Sequence, residues 1–213
     1  MSGFATLYPI YRAKGRIMPS WIKKFFRQKR NNDSHDPWVV YRTNRMDTQP
    51  EVNVKHFPFK DSLLSEGLYA YRLVFLVSEI DASRVKNVIE NEFPLKTDKL
   101  YFTAELSNSQ NLYIHAGIRR EFNGAMVEML TNNADLLNDL DNLELQTLPP
   151  WITFPDFDPD GFYCLQGNIE FWWSFFFVPF WESLDLDRKI FYLENAHDNW
   201  KELFLDRYMD MRS

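Results

Sequence analysis

Three observations predict an α+β fold: an antiparallel sheet packed with helices, and a helical, aromatic-rich C-terminal region. Runs of strand and helix character succeed one another without the strict βα alternation of a parallel sheet. Residues 99–118 hold two alternating runs around Ser107-Asn108-Ser109-Gln110, the mark of a hairpin. From Trp151 onward strand character fades, and eight aromatics crowd the eleven positions from Phe171 to Trp181.

The elements follow in order. Trp38 to Tyr41 reads as a short strand, and Glu51 to Phe59 as an edge strand, since Pro58 is unsuited to a central one. Leu68 to Ser78 is aromatic and β-branched with a nearly continuous apolar end, which predicts a central strand. Asp81 or Ser83 then caps a helix bearing Val85, Val88, Ile89 and Phe93, and Pro94 ends it. In the hairpin, strands Lys99–Leu106 and Asn111–Ile118 set Tyr101, Thr103 and Glu105 on one face. Phe102, Ala104 and Leu106 take the other. Arg119 to Leu130 presents Phe122, Met126, Met129 and Leu130 at helical spacing. Asp135 to Leu145 carries a stripe of Leu136, Leu137, Leu140 and Leu143 with an acidic back. Two last helices are expected: Leu184–Asn195, with Ile190, Phe191 and Leu193, and Asp198–Met211, with Trp200, Leu203, Phe204 and Tyr208. The expected organisation is a basic segment, 1–30, followed by one α+β domain, 31–213. That domain has a sheet-containing part, 31–150, and a helical part, 151–213. A polar, turn-rich break at Asn31-Asn32-Asp33-Ser34-His35-Asp36-Pro37 separates head from body.

The 213 residues suffice to bury a substantial core. An apolar content of 45% with 25% charged residues excludes wholesale disorder. One cysteine, Cys164, excludes an intramolecular disulfide framework and a cysteine-rich structural zinc site. Nineteen Phe, ten Tyr and seven Trp are a heavy aromatic load, which serves cores and binding interfaces alike.

The net charge of −6 conceals a gradient. Residues 1–30 carry eight bases and no acid, whereas residues 131–213 carry 16 acids and 5 bases, net −11. The basic head admits three readings: a solvated segment offsetting the acidic third, a membrane-surface helix, or a nucleic-acid contact. In the second, Ser20 caps Trp21-Ile22-Lys23-Lys24-Phe25-Phe26-Arg27. The acidic remainder repels phosphates and weighs against nucleic acid. No apolar run of signal-peptide length follows the charges.

Pro155-Asp156-Phe157-Asp158-Pro159-Asp160-Gly161 starts as a calcium loop does, with acids at positions 1, 3 and 5 and Gly at 6. Position 12 is Gly167 instead of Glu, so the pattern predicts an acidic turn without a metal. The Phe171–Trp181 run is too short to span a bilayer, which takes about 20 apolar residues. It reads as a core segment or as a partner-binding surface, because adjacent Trp172 and Trp173 on a helix cannot face one core centre. The four histidines form no metal or protease motif. His115 is expected in a hydrogen-bonded structural role, and Asp198, beside His197, as a helix cap. Neither GxGxxG, GxxxxGK[ST] nor GxSxG occurs, and no cofactor is expected.

An acidic, aromatic-rich α+β domain without a catalytic signature reads as a cytoplasmic, non-catalytic binding protein. Its expected role is stoichiometric inhibition of a basic protein, since a negative surface speeds encounter with a positive one. In general character the chain resembles the small single-domain immunity proteins that protect bacteria from their own secreted toxins. The expected partner face comprises Asp139, Asp141 and Glu144 on the leucine-striped helix and Asp156, Asp158 and Asp160 on the turn. Exposed aromatics around Trp172 and Trp181 are its expected anchors. Two alternatives stand beside this reading: a hydrolase-like enzyme using His115 or His197 with a carboxylate, and a peripheral membrane protein using the basic head.

Overall fold

A five-stranded antiparallel sheet organises the computed structural model, which describes residues 39–43, 56–163 and 165–209. Apart from Val39, these residues belong to one unit, Val40–Ser213. The readings of the basic head, of the 31–37 break, of residues 51–55 and of Cys164 fall outside the described residues. The strands are β1 (Asp61–Ser62), β2 (Tyr71–Val77), β3 (Phe102–Ser107), β4 (Tyr113–Glu121) and β5 (Gly124–Thr131), in spatial order β1-β2-β5-β4-β3. The architecture is α+β, as the sequence predicts.

The helices of the first half are α1 (Val39–Thr43), α2 (Glu79–Glu92) and α3 (Ala134–Asp141). Ser78 caps α2, its Oγ accepting from the Asp81 amide at 3.0 Å, so the helix starts ahead of the expected Asp81 or Ser83 cap. Val85, Val88 and Ile89 face inward as their spacing predicts. Asn133 caps α3 through the Leu136 amide, and Leu136, Leu137 and Leu140 are buried. Val39–Tyr41 of the expected first strand lie in α1 instead, Trp38 falling outside the described residues, and β2 stands second in the sheet, with β5 at its centre. Pro58 precedes the short edge strand β1 and lies outside any strand, which keeps its missing donor away from the ladder.

The hairpin around residue 108 forms as predicted, with Ser107 opposite Tyr113 and Phe102 opposite Ile118. Thr103, Glu105 and Ser107 are exposed, while Phe102, Ala104 and Leu106 are half-buried. Asn108, expected at the exposed turn, is half-buried and organises the loop. Its Oδ1 accepts from the amides of Gln110 and Leu112, at 3.0 and 3.1 Å. Ser109 and Gln110 form the exposed tip. A four-residue Gly/Ser insertion between them is expected to leave the fold intact and lower the melting temperature by no more than a few degrees, because loop closure scales weakly with length. Circular dichroism melts check this, and loss of the folded state would contradict the hairpin.

The helix expected over Arg119–Leu130 is a second hairpin, β4–β5. Phe122 and Asn123 make its two-residue loop, with φ of 50° and 56° at both positions, as a type I′ turn requires. Asn123, a residue type that tolerates positive φ, is the turn signal that the helical spacing overrode. Ala, Met, Glu and Leu in Gly124–Thr131 favour helices in isolation. Tertiary pairing on both edges and cover on both faces make this stretch the central strand, buried along its whole length. A strand buried on both faces shows no alternation to read. Gly124 is needed for close approach, since a Cβ there would lie 2.7 Å from the Val77 carbonyl oxygen and 2.2 Å from Leu148.

The aromatic region comprises α4 (Pro150–Thr153), α5 (Asn168–Trp172), a π-helical turn (Trp173–Phe177) and α6 (Val178–Ser183). They are followed by α7 (Leu186–Leu193) and α8 (Asp198–Arg207). The Phe171–Trp181 run is core: Trp172, Trp173, Phe176, Phe177, Phe180 and Trp181 are all buried. The π turn resolves the problem of two adjacent tryptophans, because its wider winding changes the direction in which successive side chains project. Trp172 packs on Phe154 and Phe177, with centroids at 5.3 and 5.2 Å, while Trp173 stacks on Phe177 at 4.7 Å and meets Tyr208. Pro179, which has no amide hydrogen, follows directly in the first turn of α6. No helix among the described residues is long and apolar enough to cross a membrane.

Candidate functional site

The acids expected at a partner face divide into three groups. Asp156, Asp158 and Asp160 are exposed, on the turn that leads into a 3₁₀ segment, Pro159–Tyr163. Asp158 Oδ1 accepts from the Asp160 amide at 3.0 Å, and the Gly161 amide donates to the Asp158 carbonyl at 2.9 Å. These bonds hold the turn in place with its carboxylates outward. Asp139 and Glu144 are exposed on and just after α3. The two exposed groups sit on different supports: α3 packs against α2, whereas the 3₁₀ segment packs against α8.

Asp141 is a correction. It forms an ion pair with Lys60, whose side chain is wholly buried, and its Oδ1 lies 3.4 Å from His56 Nδ1. Lys60 also donates to the Pro58 carbonyl at 3.1 Å. Burial pushes the Lys60 ammonium below its ordinary pKa, while Asp141 pulls in the opposite direction. This carboxylate therefore ties residues 56–60 to the end of α3.

Trp172 and Trp181 are also corrected. They are 0% and 1% exposed, so neither serves as a surface anchor in this conformation. Trp181 donates its indole hydrogen to the Tyr208 carbonyl at 3.2 Å, and its ring packs against Phe177, Tyr192 and Phe204. A large aromatic ring gains most when fully removed from water, and here the core takes these two.

In the acidic third, only Asp141 and Asp185 form ion pairs among the described residues. The remaining carboxylates, from Asp135 to Asp206, have no cation within ion-pair distance there. Sequence reasoning sees the excess of acids; the structure adds that it is not neutralised by ion pairs among the described residues.

His115 has the structural surroundings expected of it. Its Nδ1 lies 2.7 Å from the hydroxyl of Tyr41, and that hydroxyl donates to the Leu130 carbonyl at 3.1 Å. Glu105 stands 3.8 Å from Nε2. Tyr41 is fully buried, and burial raises its hydroxyl far above the usual tyrosine range. The Tyr41–His115 contact fastens α1 to the sheet. His197, not Asp198, occupies the cap position of α8, and its side chain makes no capping bond. Among the described residues, no group of three or more His, Cys, Asp or Glu is placed to hold a metal ion.

The surface also carries something the spacing did not anticipate. Leu186, Ile190 and Phe191 on α7 are 57%, 49% and 61% exposed, whereas Leu193 of the same expected helix is buried. Comparison with protein-family models, curated proteins and solved structures finds no match for this chain. The functional reading therefore rests on the surface itself.

Proposed function

We propose that this protein is a non-catalytic, acidic binding protein of the cytoplasm that associates stoichiometrically with a basic protein. Neutralisation of a toxin, in the manner of an immunity protein, is the form of that activity we favour. The supporting observation is the excess of exposed carboxylates in residues 131–209 that have no ion-pair partner among the described residues, carried on a buried aromatic core. Unneutralised charge of one sign on a fixed surface steers an oppositely charged partner and accelerates encounter. Asp139, Glu144, Asp156, Asp158 and Asp160 remain the candidate contact residues. The hydrolase alternative has one observation in its favour, the approach of Glu105 to His115 at 3.8 Å. The occupation of the other ring nitrogen by Tyr41 makes the structural role the stronger reading.

Affinity capture from the native host, followed by mass spectrometry, tests the proposal. One stoichiometric basic protein is expected, and a small-molecule turnover activity with no such partner would overturn it. With the partner in hand, the on-rate is expected to fall severalfold between low and physiological salt, where screening acts over about 8 Å. Replacing Asp156, Asp158 and Asp160 together with Asn keeps the side-chain acceptor of the turn and removes the charge. Stopped-flow binding should then show a slower on-rate and a shallower salt dependence. Stability of the free protein should change by less than about 0.5 kcal/mol. A salt-independent on-rate, unchanged in the triple variant, would move the binding face elsewhere.

A further inference from the structure

Helix α7 buries a lysine beside its two core residues and leaves three large apolar side chains outside. Lys189, Tyr192 and Leu193 are its buried residues, whereas Leu186, Ile190 and Phe191 face solvent. Lys189 lies over the Trp181 ring at 5.5 Å and is 6% exposed. A cation–π contact is a modest return for burying an ammonium group. Rotating the helix by about one residue, some 100°, would bury Ile190 and release Lys189. The fold instead keeps three large apolar side chains on the surface. Single exposed leucines are ordinary, but a clustered apolar stripe on two turns of one helix is not.

Because successive residues turn by about 100°, Leu186, Ile190, Glu194, Asp187 and Phe191 occupy one continuous arc. All five are exposed. The stripe therefore holds two acids among its three apolar side chains, and Asp185 stands at its N-terminal edge. The exposed base of α7, Arg188, lies 4.0 Å from Asp185.

We propose that this face of α7 docks an amphipathic basic helix of the protein partner, its apolar side on Leu186, Ile190 and Phe191 and its cations against Asp187 and Glu194. The proposal rests on the acidic-binder reading above and names the contact by which such a partner is held. The i, i+4 row formed by Leu186, Ile190 and Glu194 is the ridge that a second helix packs against. The charge selects among occupants. An anionic membrane surface would meet acids at the centre of the stripe, and a second copy of this chain would bring acids against acids. A helix with Lys or Arg flanking an apolar stripe satisfies both parts of the face.

The test titrates the full-length protein with an 18-residue Leu/Lys amphipathic peptide, a sequence-scrambled control and a Leu/Glu counterpart. The Leu/Lys peptide should bind at least tenfold more tightly than either control. Combining Ile190→Ser with Phe191→Ser should weaken it at least tenfold while lowering the circular dichroism melting temperature by no more than a few degrees, since both side chains are largely exposed. Combining Asp187→Asn with Glu194→Gln should flatten the salt dependence of binding. Equal binding of the Leu/Glu or scrambled peptide, or indifference to the Ser pair, would overturn the proposal. So would a wild-type dimer in sedimentation, or binding to phosphatidylserine vesicles, if the Ser pair abolished it. The captured native partner separates the two levels of the argument. If that partner binds the Ser-pair variant normally but is slowed by the Asp156/Asp158/Asp160 variant, docking on α7 fails and the acidic-binder reading stands. If it is indifferent to both variants, docking on α7 fails and the binding face lies elsewhere; the acidic-binder reading itself fails only if no stoichiometric basic partner is captured.

Discussion

Asp141→Asn is expected to lower the unfolding free energy by about 3 kcal/mol, whereas removing three charges from the 156–160 turn should barely register. The difference is one of environment. Lys60 has a wholly buried side chain, and the Asp141 carboxylate is its counter-charge. Without that negative charge the ammonium must stay buried unpaired or draw water into the interior. Breaking one half of a buried pair typically costs about 3–5 kcal/mol, and the partial exposure of Asp141 places this case at the lower end. Lys60→Met should cost a comparable amount, since it strands the carboxylate beside His56. The double variant Lys60→Met/Asp141→Leu should be less destabilised than the two single effects combined, because it leaves no orphaned charge. Urea unfolding of the four proteins measures the cycle. An Asp141→Asn effect below about 1 kcal/mol would return Asp141 to the set of available surface acids.

Glu128→Gln is expected to stabilise the protein above neutral pH. Glu128 occupies the middle of β5, is 1% exposed, and has its pKa pushed up to about 7. Burial is the main cause, the nearby Glu121 adds to it, and the Arg119 guanidinium opposes it. Arg119 Nη2 lies 3.0 Å from Oε1, yet that oxygen has no well-aligned hydrogen bond. A carboxyl whose pKa is higher in the folded than in the unfolded chain binds its proton more tightly when folded. Its contribution to stability is therefore fully present below the unfolded value, near 4.5, and is lost as pH rises through about 7. A carboxyl raised that far above its unfolded value loses about 3 kcal/mol of stability by pH 8. Gln cannot ionise, so the variant should regain about 2–3 kcal/mol at pH 8 and show a flatter profile between pH 4.5 and 7. Urea unfolding at pH 5 and pH 8 provides the comparison. Parallel pH profiles for the two proteins would refute the assignment.

Much of the fold was legible because local patterns and tertiary packing agree. The β3–β4 hairpin shows its alternation, since only one face of β3 is well covered. The helices α2 and α3 show apolar stripes because each buries one side. Opposite the leucine stripe of α3, Asp135 and Asp139 lie exposed, while Asp141 at its end is drawn to Lys60. The signal failed at β5, whose two covered faces erase the period of two and leave a composition that reads as helix. It failed at α1 for the opposite reason. A short β-branched pair, Val39-Val40, carries strand preference, and preference alone does not set the outcome over five residues.

The amino-acid sequence by itself determined the class of fold, the acidity of the C-terminal third and the concentration of aromatics between Phe171 and Trp181. Composition and periodicity are properties of the chain, so they survive whatever the chain packs against. Only the tertiary structure decided how individual side chains were used. It assigned Asp141 to a buried lysine distant in sequence, drew Trp172 and Trp181 into the core, and turned Ile190 and Phe191 outward while burying Lys189. Those outcomes depend on which surfaces meet across the chain. A one-residue rotation of a helix, or a counter-charge 81 residues away, leaves no periodic trace in the segment that carries it.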